Sequence, residues 1–127
     1  MKIAVTAQGP SLEASVDPRF GRCSYFVIAG PDGEIIEAIP NDGVAAGGGA
    51  GISAAQLLIN KGIEVLLTGQ VGPNAMRVLQ SAGIKIYQTA VSTVKAALEE
   101  LKEGKATPLS GATVGPHFGW GRGGRQF

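Results

Sequence analysis

The chain has 127 residues, 44% of them hydrophobic and 17% charged, with a net charge of +1. That length suits one domain with a single core, and the near-neutral balance excludes a chain that holds nucleic acid or membrane by bulk charge. No stretch nears the roughly 18 apolar residues of a spanning helix. The opening MKIAVTAQGP has too short an apolar run for a secretory signal, so a cytoplasmic protein is the expectation.

In chain order, Ile3 to Ala7 is an apolar run closed by Gly9 and Pro10 and predicts a first strand. Residues 10 to 23, PSLEASVDPRFGRC, lack periodicity and carry Pro and Gly, which predicts a long loop. Tyr25 to Ala29 and Ile35 to Ile39 are apolar runs joined by GPDG, a hairpin signal. A glycine-rich loop, NDGVAAGGG, then runs into a stretch where Ile52, Ala55, Leu58 and Ile59 recur at helical spacing.

The second half repeats itself. Gly62, Gly83 and Gly104 stand 21 residues apart, each placed as a glycine that closes a helix. GIEVLLTG (62 to 69) and GIKIYQTA (83 to 90) align as strands that directly follow helices. Gly72-Pro73 opens a second helix, with proline suited to the first helical position. Val94, Leu98 and Leu101 share one face of a third. The order β-β-β-α-β-α-β-α predicts an α/β domain over residues 1–108, with parallel strands and an added antiparallel hairpin. Residues 109–127 read as a separate Gly-rich tail. Its last 18 residues, SGATVGPHFGWGRGGRQF, hold six glycines, two arginines and no acid, a composition that predicts a flexible cationic tail.

Glycine is the compositional outlier, 20 of 127 residues, about twice its usual share of roughly 7%. Gly49 to Ala54, GAGISA, matches a relaxed dinucleotide fingerprint. It follows the hairpin, however, and the next strand ends in Thr68-Gly69-Gln70 without the acid that a ribose needs. What survives is a physical feature. Gly47, Gly48, Gly49, Gly51 and Ser53 would present backbone N–H groups at a helix N-terminus, which favours anions. Gly69, Gly72 and Asn74 form a second such loop. Both lie at carboxyl ends of strands, where open α/β sheets bind ligands. The alternative is that these glycines only permit tight turns and close helix packing.

Cys23 and His117 are the single cysteine and the single histidine, so one chain cannot supply the four Cys or His ligands of a closed zinc or iron–sulfur site. A metal centre would be shared between chains, making a homo-oligomer, or be held by backbone and cationic groups. Cys23 lies beside Arg19 and Arg22, which would depress its pKa and favour thiolate; the alternative is a half-buried cysteine at a strand start. No acid–base or nucleophile–base pair can be assembled, so an enzyme is not expected. The tail's RGG and aromatic residues also occur in RNA-contacting segments, but two arginines are few for holding phosphates. Nucleic-acid contact would be confined to the tail, and no membrane contact is expected.

The chain resembles the dinitrogenase iron–molybdenum cofactor family. The residues that carry the likeness are MKIAV, DPRFGRCSYFVI (17 to 28), GGGAGISAAQLL (47 to 58), GPNAMRVLQSAGIKIY (72 to 87) and LEELKEGK (98 to 105). The resemblance implies a ribonuclease H-like fold, a mixed five-stranded sheet flanked by helices, without that enzyme's acids. It implies non-catalytic binding, carriage or storage of an anionic metal–sulfur cluster, iron–sulfur or iron–molybdenum, in metallocluster assembly with assembly or acceptor proteins as partners. Carried over, Phe20, Gly21 and Arg22 form the FGR stretch and Cys23 is the candidate metal ligand. Many relatives have histidine before FGR where this chain has Arg19. A small-anion or nucleotide-binding regulatory module, using the same loops, is the competing expectation.

Overall fold

The structure, a computed structural model, describes residues 1–41, 50–89 and 92–109. Strands β1 (Ile3–Ala7), β2 (Tyr25–Ala29) and β3 (Ile35–Pro40) come first, then helix α1 (Ala50–Asn60). β4 (Val65–Thr68), α2 (Pro73–Ser81), β5 (Lys85–Gln88), α3 (Val94–Lys102) and β6 (Thr107–Leu109) complete the order, with a 3₁₀ turn at Phe20–Arg22. The sheet order is β3-β2-β1-β4-β5-β6. β1, β4 and β5 are parallel, whereas β2, β3 and β6 join antiparallel.

The fold is thus mixed α/β, as expected, but with six strands among the described residues rather than five. β6, TPL, is the addition: three residues, one of them proline, give no periodicity to read. Proline is tolerated there because β6 is an edge strand with one neighbour. The glycine loop at 42–49 and residues 110–127 of the expected tail lie outside the described residues, whereas Leu109, assigned to that tail, is the last residue of β6. No helix among those described is long and apolar enough to cross a membrane.

Two layers of side chains explain why β1 reads IAVTA, apolar at both parities, and is buried throughout. One face carries Ala4, Phe26, Ile28, Leu66 and Ile86 against Ala54, Ala55 and Leu58 of α1 and Met76 and Leu79 of α2. The other carries Ile3, Val5, Val27, Val65 and Leu67 against Val94, Ala97 and Leu98 of α3. Ile52, which the spacing assigned to the apolar face of α1, is 40% exposed; Ala54 takes its place inside.

The three spaced glycines close all three helices in one way. Gly62, Gly83 and Gly104 have φ of +74°, +78° and +74°. Each donates to the carbonyl three residues back, and the following residue reaches five back, as in Ile63 N to Leu58 O at 3.1 Å. These are the paired bonds of the Schellman ending. Pro73 opens α2 after Gly72, and Thr93 caps α3 by accepting from the Ala96 amide at 3.1 Å.

A Cβ at Gly62 would meet nothing within 4 Å, so the cost of a side chain there is purely that of the left-handed backbone. Gly62→Ala is expected to lower stability by about 1–2 kcal/mol, read as a lower urea midpoint with an unchanged slope.

Candidate functional site

β1 and β4 run side by side, and each carries a threonine at or next to its carboxyl end. The register Val5↔Leu67 sets Thr6 beside Thr68, and their hydroxyls are 2.9 Å apart. Both are fully buried, so each needs partners. Thr6 Oγ1 donates to the carbonyl of Asp17 at 2.6 Å, and the Asp17 amide donates to the carbonyl of Thr6 at 2.9 Å. The segment expected to be a long loop is pinned across the carboxyl ends of the two strands.

Asp17 is 1% exposed and its carboxylate is occupied. Oδ1 accepts from the Arg19 amide at 3.0 Å and from Arg19 Nε at 3.2 Å, and Oδ2 accepts from Arg19 Nη2 at 3.3 Å. The hydrogen bond and the charge of Asp17 hold the Arg19 guanidinium above its ordinary pKa. The Arg19 side chain is nonetheless 58% exposed. Further along, Gln70 N donates to Pro18 O at 2.6 Å and Phe20 N to Gln70 O at 3.1 Å, which joins this segment to the turn that leads into α2. Phe20 is buried against Phe26, with ring centroids 5.8 Å apart, while Arg22 stays exposed.

The 3₁₀ turn packs against α1, and α1 packs against α2. A Cβ on Gly51, in the first turn of α1, would stand 3.2 Å from Ala75 Cβ, in the first turn of α2. The two helix N-termini are therefore neighbours beside the turn that carries Arg19 and Arg22. Ser53 and Asn74 are exposed in these first turns, and α2 starts at Gly72 without a side-chain cap.

The structure brings Gly51, Ser53, Gly69, Gly72, Asn74, Arg19 and Arg22 to one edge of the sheet; Gly47, Gly48 and Gly49 lie outside the described residues. Two of the glycines have a packing reason. A Cβ on Gly69 would come within 2.7 Å of Pro18 Cα and 2.8 Å of Pro18 O, closer than backbone atoms tolerate. Gly51 lets the two helices approach, as above. Neither has positive φ.

Cys23 differs from expectation in its surroundings. It is fully buried, donates from Sγ to Phe20 O at 3.3 Å, and has Asn41 Nδ2 at 3.8 Å from the sulfur. Burial, seconded by the charge of Asp17, pushes the thiol up to about 12, with the Asn41 hydrogen bond opposing. The expected depression by arginines fails because burial in the core cluster dominates and the Arg19 guanidinium is turned to Asp17.

Asp17, Thr6, Thr68 and Asn41 were not among the residues singled out from sequence. A faint signal existed for the threonines, each a hydroxyl near the end of an otherwise apolar run, IAVTA and VLLT. Asn41 closes the turn by donating from Nδ2 to Cys23 O at 2.9 Å and Gly21 O at 3.3 Å. A cavity of about 590 Å³ opens at the opposite edge, bordered by Ile3, Gly30, Val65, Lys85, Leu98 and Leu101; nothing in the sequence signalled it.

Fold and edge together define a small mixed-sheet α/β domain whose candidate ligand face is built from arginines and helix N-termini. The chain belongs to the dinitrogenase iron–molybdenum cofactor family, whose model matches residues 1–104. It is similar to the apo form of the orange protein from Desulfovibrio gigas, at 43% identity and a TM-score of 0.83, covering 87% of this chain and 94% of that one. A Thermotoga protein described as a candidate NifB protein is 34% identical with a TM-score of 0.76, over 86% of this chain and 93% of that chain. An uncharacterized Methanocaldococcus jannaschii protein is 32% identical over 111 residues, 83% of this chain and 88% of its own length.

Two outcomes follow from this geometry. Gly69→Ala should force Pro18 away and destabilise the fold by about 1–3 kcal/mol, as overpacking does, visible as a lower melting temperature. The thiol pKa is raised by folding from 9.0 to about 12, so the folded state keeps a proton that the unfolded state loses. Cys23 therefore supports stability fully below about pH 9, and that support is lost as pH rises toward 12. Denaturant titrations from pH 8 to 11 should show a decline that Cys23→Ala lacks.

Proposed function

We propose that this chain binds an anionic metal–sulfur cluster as cargo and carries or stores it for metallocluster assembly, without catalysing a reaction. The observation that carries the reading is the convergence of Arg19, Arg22 and the first turns of α1 and α2 at the carboxyl ends of β1 and β4. Helix N-termini and guanidinium groups both favour negative charge, and iron–sulfur or iron–molybdenum clusters are bulky anions. Family membership supports the same cargo class, and proteins that assemble or accept clusters are the partners it calls for. The order β3-β2-β1-β4-β5, with β2 antiparallel to both neighbours, supports describing the sheet as ribonuclease H-like.

A binding role suits the side chains at this edge. The Asp17 carboxylate is committed to Arg19, and the Cys23 thiol is protonated and inside. For Cys23 to ligate metal, the 3₁₀ turn would have to open and the sulfur lose its proton. The buried thiol favours a second reading, in which the edge holds a smaller anion or a nucleotide without any thiolate.

The experiment is anaerobic reconstitution with iron and sulfide, and separately with thiomolybdate, followed by desalting and absorption spectra for the parent and Cys23→Ser. Charge-transfer bands retained by both are the expected result and place the cargo on arginines and backbone. Bands lost only in Cys23→Ser would make the thiolate a ligand. A colourless parent in every condition would reject cluster binding and leave the small-anion reading.

A further inference from the structure

Arg19 is not held as a surface cation usually is. Its partner carboxylate is 2% exposed against 58% for Arg19's own side chain, so one side of the pair is core and the other faces solvent. The contact is side-on: Nε meets Oδ1 and Nη2 meets Oδ2. A guanidinium has five N–H groups. Two are spent on Asp17, which leaves the pair on Nη1 and the second on Nη2, and with them the end-on fork, uncommitted on a side chain that is more than half exposed. The backbone beneath is fixed as well, by Arg19 N to Asp17 Oδ1 at 3.0 Å and the bridge of Arg19 with Gln70.

A buried carboxylate is costly to keep ionised unless it is fully hydrogen-bonded, and here three donations from one residue meet that need. Stability alone does not require such a pair, since well-packed apolar residues often replace a buried ion pair without loss. What the pair does supply is a preset guanidinium. Because Asp17 offsets much of Arg19's charge, what the pair offers an anion is the geometry of the fork: two acceptor atoms along one edge meet both arms, and an ion with one acceptor meets only one.

We propose that Asp17 is a positioning residue and that the end-on fork of Arg19 selects the cargo, favouring anions that present two adjacent oxo or thio acceptors. This rests on the anionic-cargo reading above. Asp17 acts through Arg19: it removes the rotamer freedom that a free arginine would lose on binding, a cost of about three- to tenfold in affinity.

The test is anaerobic titration with tetrathiomolybdate of the parent, Asp17→Asn, Arg19→Lys, Arg19→Gln and the Asp17→Asn/Arg19→Gln double variant, each checked for native circular dichroism. Asp17→Asn should weaken binding three- to tenfold. Arg19→Lys, which keeps the charge and loses the fork, should weaken it about as much as Arg19→Gln. In the Arg19→Gln background, Asp17→Asn should add no further loss, which a merely structural carboxylate would not reproduce. Equal affinity of the parent and Arg19→Lys, or a loss from Asp17→Asn that persists undiminished in the Arg19→Gln background, would overturn the inference while the parent's binding upheld the cargo reading. A parent that binds nothing overturns both. Should Asp17→Asn not fold, the comparison of Arg19→Lys with the parent decides the matter.

Discussion

The carboxyl edge of the sheet is organised around the buried Asp17, because three separate problems of the chain are solved at that residue. β1 must return to β2 through a 17-residue connection (8–24), and fixing so long a segment costs conformational entropy. Thr6 and Thr68, buried at neighbouring strand ends, must find partners. A cationic turn must be held over the ends of parallel strands. Asp17 meets the first two through its backbone, exchanging bonds with Thr6, and the third through its carboxylate. Once it is placed, Pro18 lies against Gly69 and Arg19 beside Gln70, so the β4–α2 turn and the 3₁₀ turn are positioned relative to each other.

Glycine then takes a different meaning from the one its abundance invites. In the described chain, Gly62, Gly83 and Gly104 close helices in the left-handed region, and Gly33 turns the hairpin at φ +85°. Gly51 and Gly69 make room for Ala75 and Pro18. Each has a backbone or packing reason that holds with no ligand present. In the anion-binding reading, discrimination at the edge would fall to side chains such as Arg19, with Gly51 and Gly69 serving it indirectly by letting α1, α2 and the Asp17 segment come together.

Much of this was legible in the sequence wherever the signal is local. The 21-residue spacing of glycines, Gly72-Pro73 and the GPDG hairpin are each fixed by φ preferences of single residues, and the structure places helix ends, a helix start and a turn there. What was illegible depends on contacts between distant segments. β6 is three residues long and is a strand only because β5 offers it an edge. Ile52 matched the apolar period of α1 yet stands outside, since a nine- to eleven-residue helix offers several near-equal faces and the sheet decides among them. Cys23 has arginines as sequence neighbours, and proximity along the chain suggested a lowered pKa. In space the nearer facts are burial and Asp17, and both act the other way.

That reversal bears on how cargo could be held. Removing a proton at pH 7 from a thiol whose pKa is about 12 costs five units, roughly 7 kcal/mol at 1.36 per unit, against about 3 for a thiol at its ordinary value of 9.0. A metal ion could repay that sum, but only after the turn had given up its Phe20 and Asn41 contacts to let the metal in. The guanidinium fork of Arg19 asks for neither step: it is charged at every accessible pH, already exposed, and already set by Asp17. Of the two ways this edge could meet an anion, the one that leaves the fold undisturbed is the one the buried carboxylate has prepared.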